Sequence, residues 1–240
     1  MPESYYTALT LTRIFLSFAL IFQSLEYFKI KKVFANNGIW PLGWPYDLWP
    51  NGWLIFRLVL SVLILFIHSV FVYLLLIISI IWIARACAKS FNGGSDSMSM
   101  VVLMGLSIEV FFPKAGLFYI AIQSLMSYLI SGFIKIKNAD WRSGFALKAY
   151  LQISPYVPLF PSLKSSTYSL LSGLVIVFEL FFAFSIVHTP TLEVFLALGL
   201  IFHMFVAIVF GLNRFLHIWI ATYPALYFLS LYLNRLFFLG

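Results

Sequence analysis

Long apolar runs separated by short polar interruptions dominate the chain. Most of the runs are close to the 20 residues that a helix needs to cross about 30 Å of hydrocarbon. They predict spanning helices over Ala8–Phe28, Met98–Phe112, Leu117–Ile134, Tyr168–Val187, Leu192–Phe210 and Arg214–Leu233, the last of them broken around Pro224. The pattern therefore predicts an all-α, polytopic transmembrane helical bundle.

A further run, Leu54–Ile83, is apolar almost throughout but is too long for one upright span. A helix of this length measures about 45 Å. We favour two short spans that turn near His68 and Ser69, which gives eight spans in total. The alternative is one tilted helix, which gives seven spans and places His68 near the middle of the membrane, where an ionisable residue is a functional candidate.

Three segments interrupt the helical pattern. Asn36–Trp53 is rich in tryptophan and proline, as expected for an irregular segment anchored at the headgroup level. Lys89–Ser97 contains glycine, serine and asparagine and predicts a loop. Lys135–Tyr150 is polar and leads into the proline-rich Ser154–Ser166, so the chain there lies at the interface or re-enters the bundle where protein or water satisfies its backbone.

Composition limits the class of protein further. With 62% hydrophobic and 10% charged residues, the chain has too little polar surface for a soluble fold, and residues 1–240 are expected to form one membrane domain. The net charge of +7 is thinly spread between apolar runs, which argues against nucleic acid as a partner and for loops that face anionic lipid. The basic loops lie mainly on one side in the eight-span interpretation, and the positive-inside rule assigns that side to the cytoplasm.

Several ionisable residues lie in or beside the predicted spans. Arg13 is near a helix end, where snorkelling to the interface is the expected behaviour. Lys135, at the end of its helix, would become a usable general base if a dry pocket desolvated it, whereas Lys135 and Lys137 could instead snorkel to lipid phosphates. His203 is either a hydrogen-bonded structural residue or a chemical one. The histidines show no metal-ligand spacing, so no metal site is predicted.

One segment, Tyr128–Leu147, resembles the HTTM family, the membrane domain shared with vitamin K-dependent gamma-carboxylase. The resemblance rests on a helix with a tyrosine, a small residue before glycine and a lysine, then a polar turn, tryptophan and glycine. Weaker matches follow the family's order at NNGIWPL, at SFNGGSDSM and from Phe202 to Phe228, so that the resemblance extends over nearly the whole chain. The residues that carry the main match are Tyr128, Ser131, Gly132, Lys135, Trp141 and Gly144.

The resemblance implies roles for particular residues. In the carboxylase a lysine before the equivalent tryptophan deprotonates reduced vitamin K, and Lys135 is the nearest match, with Lys137 as competitor. Asp96 or Ser97 stands where the carboxylase has a histidine, and the large domain that binds the peptide substrate has no counterpart in this sequence. We therefore do not expect gamma-carboxylation by this chain alone.

The resulting hypothesis is an HTTM-type protein of a bacterial inner membrane that acts in redox or peptide-maturation chemistry through an intramembrane pocket. The cofactor is not identified, but a quinone would suit such a pocket because its ring stacks on aromatic residues and its oxygens face a lysine or histidine. The lipid bilayer is one partner, and a membrane protein or a secreted peptide is another. The candidate catalytic residues are Lys135, Lys137 and His203, and the candidate cofactor-binding residues are Tyr128, Trp141, Gly144, Glu179 and Asn213.

Two other functions remain open at the level of the sequence. A non-enzymatic scaffold or assembly subunit of a larger membrane complex would use the abundant aromatic residues, which make up 20% of the chain, as a packing surface. A small-molecule transporter ranks third because no internal inverted repeat is apparent. Whether the protein is an enzyme is not decided by these patterns.

Overall fold

A computed structural model of the protein describes residues 2–36, 50–86, 93–153 and 163–238. These residues form α-helices joined by short turns, with no strand among them. The helices are α1 Pro2–Asn36, α2 Pro50–Phe66, α3 Val70–Ala86, α4 Gly93–Phe111, α5 Ala115–Lys137, α6 Ala139–Arg142, α7 Phe145–Ile153, α8 Ser165–Phe182, α9 Thr189–Phe210 and α10 Asn213–Phe238. A 3₁₀ segment, Ala183–Val187, extends α8.

Among the residues that the structure describes, six helices are long and apolar enough to cross a membrane. This agrees with the all-α, multi-pass membrane protein that the sequence predicts. Both α2 and α3 have 17 residues, which is shorter than these six, so the count of seven or eight spans stays a prediction. The six segments are Glu3–Lys29, Gly94–Phe111, Ala115–Lys137, Ser165–Val187, Thr189–Phe210 and Asn213–Phe237.

The long early run forms two helices, as predicted, and the break between α2 and α3 falls at His68. The guanidinium of Arg13 donates to the carbonyl of Ile64 from Nε at 3.0 Å and from Nη2 at 2.8 Å. It thereby satisfies a carbonyl at the end of α2 that has no partner within its own helix. Arg13 is thus engaged with another helix, and the snorkelling expected for it stays a prediction.

Several predicted boundaries are also wrong because neighbouring helices stabilise segments that look irregular in sequence. The predicted loop Lys89–Ser97 ends early, since α4 begins at Gly93 and its Asp96 is buried and accepts a hydrogen bond from Gln23. The predicted irregular segment before Trp53 becomes helical at Pro50, a residue suited to a first helical turn. Residues 37–49, with most of the expected tryptophan anchor, lie outside the described residues.

Two further expectations concern prolines. The predicted break at Pro224 is wrong, because α10 continues through this residue. Spanning helices tolerate proline where side chains and neighbouring helices satisfy the backbone, and Thr222 Oγ1 donates to the Trp219 carbonyl at 2.8 Å one turn earlier. The proline-rich stretch at 154–162 lies outside the described residues, so its predicted return into the bundle stays a prediction.

The chain divides into two compact units. The first contains residues 1–120 and 217–224 and the second contains residues 121–216 and 225–240, so α5 and α10 contribute to both. In the first unit α1 packs on α2, and α3 packs on α2 and α4. In the second unit α6, α7 and α8 pack together, and α8 also contacts α9.

Glu109, near the end of α4, is a buried carboxylate of the first unit that accepts hydrogen bonds from three donors. It is buried, with 2% of its surface exposed. One of its oxygens accepts from the Tyr5 hydroxyl at 2.6 Å and from the Lys114 amide, and the other accepts from the Leu117 amide at 2.9 Å. The Lys114 amide lies in the turn before α5, and the Leu117 amide lies in the first turn of α5. Glu109 therefore caps α5 with a negative charge at the positive end of the helix dipole and ties it to α1.

The helices on either side of this turn approach backbone to backbone. A Cβ atom on Gly116 would lie 2.0 Å from the carbonyl oxygen of Gly105, a distance that no side chain tolerates. Small residues that allow such an approach are typical of helix interfaces in membranes. The pair of glycines therefore sets the spacing of α4 and α5.

The stabilising role of Glu109 can be tested by mutation. We expect Glu109→Ala to lower the free energy of unfolding by about 3 kcal/mol, because three donors lose a charged acceptor at a buried site. Thermal unfolding of the purified protein in detergent measures the change. Glu3→Ala is the matched control, since Glu3 is an exposed residue in the first turn of α1, and equal destabilisation by both variants would contradict the cap.

Candidate functional site

An ion pair between α5 and α8 forms the centre of the candidate site in the second unit. The Lys135 ammonium lies 2.7 Å from each carboxylate oxygen of Glu179. It also donates to the hydroxyl of Ser131, one helical turn earlier on α5. The two charged side chains are 15% and 5% exposed, so the pair lies mostly out of contact with solvent. The sequence proposed Lys135 as a base and Glu179 as a binding residue, and the structure brings the two together.

The indole of Trp141 covers the same ammonium. Its ring centroid is 5.1 Å from Lys135 Nζ, within the range of a cation–π interaction. The short helix α6 holds the ring in place: the Asn138 side chain caps it by accepting from the Asp140 amide at 2.8 Å, and Ser172 of α8 donates to the Trp141 carbonyl. Trp141 therefore belongs to a capped short helix whose backbone is hydrogen-bonded to α8.

Gly144, next to this site, allows close packing against α8. Its φ of +79° lies in the left-handed region, which is strained for residues with a side chain. A Cβ atom there would lie 2.4 Å from the Ser169 amide nitrogen and 2.4 Å from the Tyr168 carbonyl carbon, both in α8. Gly144 thus allows the segment between α6 and α7 to lie directly against α8. Its predicted role in binding a cofactor stays a prediction.

Tyr128 and His203 form a second polar contact in the same unit. Tyr128 lies two turns before Lys135 on α5, and its hydroxyl oxygen is 2.8 Å from Nε2 of His203 on α9. The two residues are 3% and 2% exposed. The ring of Tyr128 stacks on Phe182, with centroids 3.9 Å apart and planes 23° from parallel. The α5 face that carries Lys135 therefore also carries a buried hydroxyl–imidazole pair with aromatic residues around it.

Two of the candidate residues lie elsewhere. Lys137, at the end of α5, is exposed, which distinguishes it from the largely buried Lys135. Asn213 is exposed at the beginning of α10, just after Gly211, which ends α9 with a φ of +67°. Neither residue makes a contact with the Lys135–Glu179 pair among the contacts that we observe. Their predicted roles stay predictions.

Two serines that contact Lys135 and Trp141 were not among the candidate catalytic or cofactor-binding residues, although Ser131 is one of the residues on which the family resemblance rests. Ser131 had a signal, since it precedes Lys135 by four residues and must share its helix face. Ser172 had none, because its contact with the carbonyl of Trp141 joins residues 31 positions apart. Glu179 likewise could not be assigned to Lys135 from sequence, because 44 positions separate the two.

The side chains of the site allow a specific kind of chemistry. The ammonium and the carboxylate together are neutral, and a proton can move from one to the other, which leaves an amine beside a carboxylic acid. The ammonium and the serine hydroxyl can donate hydrogen bonds, and the aromatic rings of Trp141, Tyr128 and Phe182 lie in the same unit. Among the described residues no group of three histidine, cysteine, aspartate or glutamate side chains could hold a metal ion.

Comparisons of the chain with protein-family models, with curated proteins and with solved structures find no match.

The strength of the ion pair is measurable with a double-mutant cycle. We expect Lys135→Met and Glu179→Gln each to lower the free energy of unfolding by about 2 kcal/mol, because each leaves one partner of a largely buried pair without its counter-charge. The double variant should lose less than the sum of the two. Chemical unfolding in detergent gives the values, with Lys137→Met as the exposed control; additive losses would show that the two side chains act independently.

The close approach of Gly144 to α8 leads to a further prediction. Gly144→Ala should destabilise the protein by about 2 kcal/mol, because alanine combines backbone strain with a clash against α8. Gly173→Ala is the matched control, since nothing lies within 4 Å of a Cβ atom there and alanine in a helix is more favourable than glycine. Thermal unfolding distinguishes the two, and a Gly144→Ala variant as stable as Gly173→Ala would refute the role assigned to Gly144.

Proposed function

We propose that this chain is an HTTM-type integral membrane protein that binds a quinone or a related lipidic cofactor and acts in redox or peptide-maturation chemistry. The proposal rests on the largely buried ion pair of Lys135 and Glu179 beneath the Trp141 ring. Lys135 and Trp141 are also residues on which the resemblance to the HTTM family rests. Ionisable residues in spanning helices cost free energy and are retained mainly where they have a function.

Each residue has a definite part in the proposed site. Lys135 and Ser131 donate hydrogen bonds to an oxygen of the bound ring, and Trp141 packs against its face. Glu179 balances the charge of Lys135 and takes or returns a proton when the charge on the ring oxygen changes. The bound cofactor supplies the redox chemistry, while the protein positions it and excludes water.

The exposed position of Lys137 bears on the choice between the two lysines. A lysine that donates a hydrogen bond to a buried ring has to lie inside the protein, and it needs a neighbouring group that balances its charge. Lys135 has both properties, because it is mostly buried and touches Glu179 and Ser131. We therefore assign the chemical role to Lys135, with Lys137 as a residue of the helix end.

The test is direct analysis of what the purified protein carries. Protein extracted from bacterial membranes in a mild detergent is treated with organic solvent, and quinones are measured by mass spectrometry against the amount of protein. We expect an isoprenoid quinone in an amount comparable with the protein. Lys135→Ala and Trp141→Ala should reduce it several-fold, because the donor or the stacking surface is lost.

Lys137→Ala is the matched control and should retain the quinone. The proposal fails if the wild-type protein carries no quinone or related lipid, or if Lys135→Ala carries as much as Lys137→Ala. Retention of the cofactor by all variants would mean that it binds to the apolar surface and not to this site.

A further inference from the structure

The end of α5 and the short helix α6 run alongside α8, and two contacts fix where they lie along it. Lys135, at the end of α5, pairs with Glu179. Further along the chain, Ser172 donates to the carbonyl of Trp141 in α6. Residues 136–140 connect these two contacts. They therefore lie beside the part of α8 between Ser172 and Glu179.

This part of α8 lies at the depth of the hydrocarbon. Ser165–Val187, which is α8 with its 3₁₀ extension, is one of the six segments that are long and apolar enough to cross a membrane. Its 18 residues of α-helix and 5 residues of 3₁₀ helix measure about 37 Å, little more than the roughly 30 Å of hydrocarbon. Glu179 comes about 21 Å after Ser165 along the helix axis. The end of α5 therefore lies beside the middle of a spanning segment.

Two kinds of surface are exposed at this depth. On α8, Leu170, Leu174 and Val177 are 64%, 57% and 53% exposed, as expected for side chains that contact lipid. The end of α5 and α6 instead expose polar and charged side chains, namely Lys137, Asn138, Asp140 and Arg142. Ionisable residues at membrane depth almost always face the protein interior or a water-filled cavity. Because these side chains are exposed, they indicate water on their side of α8.

The backbone of the same segment leads to the same conclusion. The chain leaves the helical conformation at Asn138 and again at Ser143 and Gly144, on either side of α6. Irregular backbone is tolerated at membrane depth only where protein buries it or where it lines a water-filled cavity. Asn138 and Ser143 are exposed, so the second condition applies to them.

We propose that α6 and the two turns beside it line a water-filled recess, which opens to the aqueous side on which α8 begins and brings water to the Lys135–Glu179 pair. Lys135 is 15% exposed, so the pair is not sealed from this recess. Water at this place lets the pair exchange protons with one side of the membrane. The inference rests on the position of α6 against α8 and does not depend on which cofactor the protein binds.

Single cysteines in the full chain test the recess. The starting variant is Cys87→Ser, which removes the only cysteine of the sequence. Ala139→Cys then places a thiol at an exposed position of α6, and Ser131→Cys places one beside the Lys135 ammonium. Each protein, in phosphatidylcholine nanodiscs, is treated with a quaternary-ammonium methanethiosulfonate, whose permanent charge keeps it out of hydrocarbon. Mass spectrometry gives the rate of labelling.

The matched controls carry the thiol at apolar positions that are well exposed but face lipid. Leu174→Cys is the control for Ala139→Cys, and Ile134→Cys is the control for Ser131→Cys; the native side chains are 57% and 62% exposed. We expect Ala139→Cys to react about 100-fold faster than Leu174→Cys, and Ser131→Cys about tenfold faster than Ile134→Cys, because a charged reagent enters water and not hydrocarbon. After unfolding in dodecyl sulfate, all four thiols should react at similar rates.

The contrary results separate the parts of the proposal. Labelling of Ala139→Cys as slow as that of Leu174→Cys would show that water does not reach α6. Fast labelling of both would place the first half of α8 outside the hydrocarbon and remove the reason for a recess. Fast labelling of Ala139→Cys with equally slow labelling of Ser131→Cys and Ile134→Cys would end the recess before the ion pair and refute the path for protons.

Discussion

A charged side chain among membrane-spanning helices needs a counter-charge or hydrogen-bond partners from a neighbouring helix, and in this protein that requirement selects which helices meet. Lipid tails are as apolar as leucine, so apolar contacts alone do not distinguish one helix neighbour from another. Glu109 joins α4 to α1 and to the beginning of α5, and Lys135 joins α5 to α8. The polar contacts therefore specify an arrangement that the apolar residues then fill.

The buried charged side chains differ in the protons that they can exchange. Lys135 and Glu179 can become neutral by passing a proton between themselves. Arg57, which is also buried and donates a hydrogen bond to Gln23, keeps its charge in all circumstances. A single chain thus contains a buried pair suited to local proton transfer and a buried cation that cannot take part in such a transfer.

The sequence predicted the helices well where the apolar pattern was long and less well where it was short. The centres of the spanning helices and the break at His68 follow from the run lengths alone. The beginning of α4 and the continuity of α10 did not, because Gly93 and Pro224 disfavour a helix locally and tertiary contacts override that preference. Tyr128, Lys135 and Trp141 could be proposed as site residues from local signals, whereas the contact of Lys135 with Glu179 depends on packing between α5 and α8.

The contacts between Gln23, Arg57 and Asp96 also bear on the order in which the first unit is completed. The three residues come from separate helices, and a growing chain delivers Gln23 first, Arg57 next and Asp96 last. The hydrogen bond that Arg57 donates to Gln23 can therefore form before α4 is made, whereas the one that Gln23 donates to Asp96 cannot. Completion of this buried hydrogen-bond chain waits for the synthesis of α4.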